Sequence, residues 1–439
     1  MSYRKTIGIL GGGLLGMTLS LRLAKQGFKV TLLETAERTG GLASPCKIGD
    51  YTWDQFYHVI LLSDANLLHL LEELNLKDQI HWRRTKTGFY ADGRLYSMSN
   101  LFEFLKFPPL ALLDRLRLGF TIFYASRVKD WERLEGIRVT DWLTRLSGKR
   151  TFEKIWLPLL KSKLGENYRL ASASFIWAII ARMYAARRSG LKQEMFGYVD
   201  GGYATILSQL RKALNEAGVQ ILCGIPVVSI VNNNGHPQVK IAAGANPKFD
   251  ELILTVSCKQ ISNLCPGLSS QEKRRLDEVN YQGIVCGTFI VKKPLAGYYV
   301  TNITDPRVPF TGIIEMTAVV DKNNFGGNSL IYLPRYLTRE DPVWRKDDEE
   351  IEGEFLGALE SIYPAFSRKD VLASKITRDT GVLPLTTLDY SKKLLPPMKT
   401  SMEHVFIVNS AQIPNGTMNV NEIVGLANKK SKEIVELAS

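Results

Sequence analysis

Cysteine, histidine and long apolar runs are all scarce in this chain of 439 residues. The five cysteines form no C-x-x-C pair and the five histidines form no H-E-x-x-H pair. The sequence therefore predicts reduced thiols in a cytoplasmic protein and no bound metal. In the segment richest in aromatic residues, the longest uncharged run, Leu170 to Ala181, is well below the roughly 18 residues that a membrane-spanning helix needs.

Positive charge is concentrated in one segment. Residues 82–195 contain 22 Lys and Arg against 10 Asp and Glu. The segment's net charge of +12 equals that of the whole chain, so the remaining residues carry no net charge. The segment is also rich in aromatic residues, over 100–131 and 170–188. Three interpretations stay open: a helical lid whose basic groups face water, a pocket for a bulky apolar or anionic substrate, or peripheral membrane contact. Nucleic acid is not expected as a partner, because no binding module accompanies the charge.

A dinucleotide fingerprint lies near the amino terminus. The run TIGIL predicts a buried strand, an amphipathic helix follows, and KVTLL predicts a second strand that ends in Glu34. Between strand and helix, Gly11, Gly13 and Gly16 stand in G-x-G-x-x-G register. Such glycines permit a tight turn, close approach to a pyrophosphate and close helix packing, while the acid binds a ribose hydroxyl. The alternative is an ordinary glycine-rich turn, but in that case the position of Glu34 would be a coincidence.

A second glycine pair follows in Arg38-x-Gly40-Gly41 and suits a loop that folds back across a longer cofactor. Here the sequence resembles the FAD-dependent family that includes flavin amine oxidases, protoporphyrinogen oxidases and phytoene desaturases. The resemblance rests on GGGLLGMTLSLRLAKQGFKVTLLETAERTGG, on GGYATI and VVSI in the middle, and on a strand, loop and helix at the end. It covers the whole chain in layout, and closely only the FAD-binding parts.

The resemblance implies FAD as the cofactor, held without a covalent bond because the terminal loop contains no cysteine. Val227 would contact adenine through its backbone, and the amides around Val420, Asn421 and Glu422 would approach the flavin ring. Where the family usually has Gly-Asp at the end of its last strand, this chain has Asn409-Ser410, which leaves a neutral contact. The implied cofactor residues are Gly11, Gly13, Leu14, Leu15, Gly16, Glu34, Thr35, Arg38, Gly40, Gly41, Leu42, Val227, Thr255, Ser410, Val420 and Asn421.

Candidate substrate residues are fewer. The stretch WDQFYH falls where the family's chain passes the flavin ring, so Tyr57 and His58 are expected as catalytic or substrate contacts, with a structural His58 as the equal alternative. Lys163 would meet an anionic substrate or be solvated, and the second is favoured. Glu315 and Tyr332 lie in the strand-rich middle, which is expected to form the floor of the substrate domain.

The predicted fold is α/β, with two discontinuous domains. A Rossmann-like FAD-binding domain, a two-layer βαβ unit with inserted elements, is expected over residues 1–80, 196–285 and 395–439. An α+β substrate domain with a mixed sheet and a helical lid is expected over 81–195 and 286–394, with the basic, aromatic helical part at 100–195. The dipeptide Asp92-Gly93 predicts a hairpin at its entry, and the runs IVCGTFIV, FTGIIEMTAVV and NSLIYLP predict strands.

These features predict an FAD-dependent oxidoreductase that takes a hydride from a bulky, mostly apolar small molecule, such as an isoprenoid, a porphyrinogen-like ring or an amine, to flavin N5. A single fingerprint leaves no second site for NADPH. Two alternatives stay open: a non-redox flavoenzyme resembling the UDP-sugar mutases, and a non-catalytic scaffold that binds FAD.

Overall fold

A computed structural model describes residues 4–99, 103, 106, 108–187, 195–415 and 418–438. The strands are β1 (Thr6–Leu10), β2 (Lys29–Leu33), β3 (Pro45–Ile48), β4 (Tyr51–Asp54), β5 (Ile60–Leu61), β6 (Ile80–Arg84), β7 (Thr87–Ala91), β8 (Arg94–Ser97), β9 (Met195–Val199), β10 (Gln220–Leu222), β11 (Val227–Asn233), β12 (His236–Ile241), β13 (Glu251–Leu254), β14 (Tyr281–Val291), β15 (Val300–Ile303), β16 (Gly312–Glu315), β17 (Ser329–Leu337), β18 (Val371–Pro384) and β19 (Val405–Ile407).

The helices are α1 (Leu14–Lys25), α2 (Ala65–Glu73), α3 (Leu112–Ala125), α4 (Val139–Ser147), α5 (Leu157–Leu164), α6 (Ala173–Arg187), α7 (Tyr203–Glu216), α8 (Cys258–Leu264), α9 (Ser270–Asp277), α10 (Asp348–Ile362), α11 (Tyr390–Lys393) and α12 (Val420–Ala438). A helical turn at Lys149–Thr151 and a π-turn at Phe152–Trp156 lead into α5.

The first sheet is parallel, with strand order β10-β2-β1-β13-β19. Strands β2, β1, β13 and β19 are buried on both faces, as their mostly apolar sequences require, while the edge strand β10 is partly exposed. Alternate residues such as Ile9 and Leu32 pack against α1, α2, α7 and α12, while Leu10 and Leu254 pack against α8, α9 and the β11–β12 hairpin. Because β2 and β13 lie on opposite sides of β1, the crevice for a nucleotide opens at the carboxyl end of β1.

The second sheet is mixed, with order β18-β14-β17-β16-β15-β7-β8. Only the β15–β7 pairing within it is parallel among the described residues. On β14, Val285 and Phe289 face α10 and its Phe355, whereas Ile284 and Cys286 face a second core that includes Trp53 and Tyr332. This second core connects the mixed sheet to the segment around β4 and β9. The predicted α/β class, with a parallel and a mixed sheet, is thus confirmed.

Helices α3 to α6 pack around a core of their own that includes Trp142, Leu160 and Phe175. This is the helical part of the basic segment, although residues 100–102, 104, 105, 107 and 188–194 of that segment lie outside the described residues. Asp64, which is buried at the start of α2, pairs with Arg182 of α6 at 3.0 Å and so fastens this helical part to the parallel sheet's helices. Among the described residues no helix combines the length and apolarity that crossing a membrane demands.

Candidate functional site

The turn from β1 into α1 has two positions, Gly11 and Gly16, where only glycine fits. Gly11 has φ +112°, and its N–H donates to the Leu33 carbonyl at 2.9 Å. A Cβ on Gly16 would lie 1.9 Å from the Gly11 carbonyl oxygen, so any side chain there would force helix and turn apart. Thr255 fixes the same turn from the neighbouring strand, because its hydroxyl donates to the carbonyls of Leu10 and Gly11 at 2.9 and 3.0 Å.

The start of α1 is free to bind an anion. Its N-cap is Gly13, which offers no side-chain cap, and its first turn carries no acidic residue. The N–H groups of the first turn have no carbonyl partner within a helix, and the positive end of the helix dipole adds to their attraction for a phosphate. The side chains of Leu14 and Leu15 are buried in the helical core, which leaves their backbone to face the turn.

The second glycine pair closes over this turn. The Gly40 N–H donates to the Gly12 carbonyl at 2.8 Å, and Gly13 and Gly40 form an isolated parallel bridge. Gly40 and Gly41 have φ +138° and +56°, and a Cβ on Gly41 would lie 3.1 Å from the Gly13 Cα. The loop therefore folds back to the helix start, as its sequence indicated. Leu42, just beyond it, packs against the core that holds Tyr57.

Glu34 lies at the carboxyl end of β2, beside the glycines. One carboxylate oxygen accepts from the Gly12 N–H at 2.5 Å and the other from the Ala36 N–H at 2.8 Å. Thr35 and Arg38 are exposed next to it. This carboxylate is held in place by the backbone and still has lone pairs for hydroxyl donors, which is the chemistry that a ribose requires.

The terminal loop reaches the same turn from the other side. The Asn409 amide donates to the Val256 carbonyl at 3.0 Å, and a Cβ on Gly11 would lie 3.1 Å from a methyl of Val256. Ser410 follows, half-buried. The Asn421 side chain instead caps α2, accepting from the N–H groups of Asn66 and Leu67 at 2.9 and 3.2 Å.

Two other residues predicted to contact the cofactor lie at the starts of elements. Val420 begins α12, and Val227 begins β11, where it lies opposite Ile241 in the hairpin. Both residues would contact the cofactor through their backbone groups, and these contacts stay predictions.

A small pocket lies between β4, β9 and α7, lined among others by Trp53, Asp54, His58, Tyr203 and Met316. The Tyr203 N–H donates to Asp54 at 2.8 Å, and burial raises the pKa of Asp54 to about 8. Burial lowers the pKa of His58 to about 4, so its imidazole is neutral at physiological pH. Within the described part of the chain, the buried polar atoms Trp53 Nε1, His58 Nδ1 and Tyr203 OH have no hydrogen-bond partner. Three such atoms around one pocket mark a place for polar ligand atoms or water.

Tyrosines line the adjoining face of the mixed sheet. The hydroxyls of Tyr57 and Tyr336 are 2.9 Å apart, and the Lys163 ammonium lies 4.9 Å from the Tyr336 ring centroid. Burial, reinforced by Tyr336, raises the pKa of Tyr57 well above its ordinary value, so Tyr57 is a neutral phenol. Tyr332 donates its hydroxyl to the Asp54 carbonyl at 2.6 Å, which connects this face to the pocket. The structure thus brings Tyr57, His58, Lys163 and Tyr332 into one region.

Glu315 has a separate environment. Its carboxylate accepts from the N–H groups of Leu295, Ala296 and Gly297 at 3.2, 3.2 and 2.9 Å, and thereby holds the turn that precedes β15. Burial raises its pKa against the effect of these three donors. Its contact with a substrate stays a prediction.

Asp54 and Tyr336 are residues of this region that were not predicted from the sequence. Each had a signal in the sequence. Asp54 ends a strand and has Trp53 before it and Phe56 and Tyr57 shortly after it. Tyr336 lies four residues after Tyr332, on the same face of β17.

These residues fit a dinucleotide with a ring system beyond it. The uncapped start of α1 and the two glycine loops would hold a diphosphate, and Glu34 a ribose. The remainder of the molecule would then extend toward the tyrosine face, with the water-sized pocket at His58 beside it.

Comparison with known proteins agrees with this geometry. The family model of flavin containing amine oxidoreductases matches residues 16–407. A 4,4'-diapolycopen-4-al dehydrogenase of Metabacillus indicus is 23% identical over 293 residues, 59% of this chain and 57% of that protein. A 15-cis-phytoene desaturase of Synechococcus elongatus is 21% identical over 267 residues, 56% of this chain and 55% of that protein. A solved structure of a proposed protoporphyrinogen oxidase from Exiguobacterium sp. 255-15 superposes with a TM-score of 0.78 at 17% identity, covering 100% of both chains.

The chain belongs to the family of flavin containing amine oxidoreductases, whose model covers most of its length. The match places the chain in a family of flavin-dependent oxidoreductases, and its cofactor is FAD, bound without a covalent bond. The likeness to the solved structure, at 17% identity, shows the fold alone. The matches span just over half of the length of the curated relatives, 57% and 55%.

Proposed function

We propose that the protein oxidises a bulky, mostly apolar organic molecule by transfer of a hydride from a C–H bond. FAD, when bound, supplies the hydride acceptor at N5 of its ring. The residues of the fingerprint, the second glycine pair and Glu34 would hold the ADP half and the diphosphate. Leu42, Ser410 and the start of α12 would approach the other half.

The glycine turn at Gly11–Gly16, the loop at Gly40 and Gly41, and Glu34 are together called the cradle. The observation that carries the proposal is the neutral, aromatic character of the region beyond this cradle. Tyr57 is held as a phenol and His58 as a neutral imidazole by burial. The surrounding core includes Tyr332, Tyr336 and Val59. Such walls favour an apolar molecule and exclude water. Dehydrogenation of carbon removes a proton together with the hydride, and the neutral imidazole of His58 would accept that proton while the flavin takes the hydride. Two curated relatives are named for carotenoid oxidation and desaturation, which supports the same substrate class.

The protein side chains would position the substrate. The hydrogen bond between Tyr57 and Tyr336 orients both rings, and the Tyr332 hydroxyl on the Asp54 carbonyl ties β17 to the pocket. Lys163, over the Tyr336 ring, places one positive charge at this region and would accept a single polar or anionic end of an otherwise apolar molecule. Glu315 would contribute by fixing the turn before β15.

The test is anaerobic flavin reduction. The purified holoprotein is mixed in turn with an apolar polyene, an amine and a tetrapyrrole, and the yellow absorbance is followed. Bleaching by the polyene, with a dehydrogenated product in equal amount, is the expected result. Bleaching by the amine alone would overturn the substrate class. Absence of bleaching by all three, with substrate turnover seen only after dithionite reduction and without net oxidation, would replace the proposal by the mutase-like alternative.

A further inference from the structure

Helix α3 exposes an unusual number of large apolar side chains. Eleven large apolar residues are exposed in the described part of the chain, and six of them lie on this one helix. They are between 44 and 63% exposed: Leu112, Leu113, Leu116, Phe120, Phe123 and Tyr124. A cluster of this kind at the surface of a folded chain marks an interaction site, whereas single exposed residues do not.

The six side chains share one face, here called the α3 stripe. At 100° per residue they fall within about a third of the helix circumference. On the opposite face, Asp114, Leu118, Thr121 and Ala125 are buried against the other helices of the segment. The helix is therefore apolar both on its outer side and on its packed side. Packing within the chain explains the apolar residues of the packed side and not those of the outer side.

Basic groups surround the stripe. Arg115 and Arg117 flank it on the helix, and the Arg127 guanidinium lies 5.0 Å from the Phe123 ring centroid. On the neighbouring turn, Lys149 and Arg150 have side chains that are 83 and 63% exposed.

Acidic groups on α3 and on the neighbouring turn compensate little of this charge. Asp114 is buried and lies 3.5 Å from Arg150, and Glu153 lies 3.9 Å from Lys149. An apolar stripe bordered by Arg and Lys is the pattern of a helix that lies in the interface of an anionic bilayer.

We propose that the α3 stripe docks the protein onto an anionic lipid bilayer, with the apolar side chains among the acyl chains and the basic groups at the head groups. Charge decides between this occupant and a second copy of the chain. The segment 82–195 carries the whole net charge of +12, so two copies would bring like charges together, whereas an anionic bilayer neutralises them. The inference concerns a surface outside the cofactor site and stands without the proposed chemistry.

The experiment is co-sedimentation of the holoprotein with vesicles of phosphatidylcholine, alone or mixed with phosphatidylserine. The protein should pellet with the mixed vesicles and be released by high salt. The double variant Leu116→Ser/Phe120→Ser should weaken binding by at least about tenfold. Arg117→Gln should weaken it by about fivefold.

A matched control removes two exposed leucines elsewhere. Leu372→Ser/Leu437→Ser, at positions 49 and 43% exposed, should bind as the parent does. All variants change exposed side chains, and retained FAD content and unfolding temperature verify their fold. Equal binding of the stripe variant and the parent, or no binding to the mixed vesicles, would overturn the proposal. So would a lipid-free dimer in sedimentation velocity that the stripe variant dissolves, since a second copy would then be the occupant.

Discussion

Replacing Asp54 by asparagine should stabilise the protein, and more at neutral pH than in mild acid. Asp54 is fully buried, and its carboxylate accepts a hydrogen bond from the neutral Tyr203 N–H at 2.8 Å. Burial raises its pKa from 3.8 to about 8, because the loss of solvation outweighs this one hydrogen bond. Asparagine keeps the acceptor for Tyr203 and introduces no charge.

The magnitude follows from the pKa difference. The folded state binds the Asp54 proton more tightly than the unfolded state, so this group lowers the free energy of unfolding as pH rises from about 4 to about 8. At about 1.36 kcal/mol for each pH unit above 3.8, the penalty is roughly 1.6 kcal/mol at pH 5 and about 4 kcal/mol at pH 7. Asp54→Asn should remove it, so the gain over the parent should grow by between about 2 and 3 kcal/mol between these pH values.

The assay is urea unfolding of the parent and the variant at pH 5 and pH 7. A comparison between the two proteins is needed because His58 titrates in the opposite sense. Its lowered pKa of about 4 makes stability fall as pH drops below 6.5, and both proteins share that effect. Asp64→Asn is the contrasting control and should lose stability, because Asp64 pairs with Arg182 at 3.0 Å. A destabilised Asp54→Asn, or a gain that is the same at both pH values, would refute a neutral, buried Asp54.

Two further predictions concern the cradle and the tyrosines. Gly13→Ala should fold, because the Gly13 backbone is extended and an added Cβ meets only the Gly41 Cα at 4.0 Å. The added methyl group would nevertheless occupy the space of the phosphate, so the FAD content of the purified protein should fall at least about tenfold. Gly353→Ala on α10, where an added Cβ meets nothing within 4 Å, is the matched control and should keep full FAD and gain about 0.5–1 kcal/mol. Tyr57→Phe should slow flavin reduction by less than about tenfold without moving its pH profile, whereas a loss of about 10² or more would assign Tyr57 an acid–base role.

The local elements of the fold could be predicted from the sequence because each carries its own signal. The fingerprint strand and the amphipathic helix after it occur where their patterns indicated. Asp92 and Gly93 adopt φ +51° and +74° in the β7–β8 hairpin that this dipeptide predicts. The strand predicted from the run FTGIIEMTAVV was only partly right, since the observed strand ends at Glu315 and a 3₁₀ turn begins at Met316. A short apolar run does not distinguish a buried strand from another buried segment.

The order of strands and the site itself depend on contacts between distant residues. No local pattern states that β15 pairs in parallel with β7, or that Tyr336 lies 2.9 Å from the Tyr57 hydroxyl. The cofactor cradle was easier to predict, since its glycines are required by backbone geometry that a motif records. Pocket residues such as Asp54 owe their properties to burial, which depends on the completed packing of both sheets.

The central claim is that the protein grips the ADP half of FAD through the turn at Gly11–Gly16, the loop at Gly40 and Gly41, and Glu34. The most direct measurement is titration of the apoprotein with FAD and with FMN, which carries the same flavin ring without the ADP half. FAD should bind at least about a hundredfold more tightly than FMN, because FMN makes none of the ribose contacts and only part of the phosphate contacts. Equal affinity for the two flavins would contradict the account.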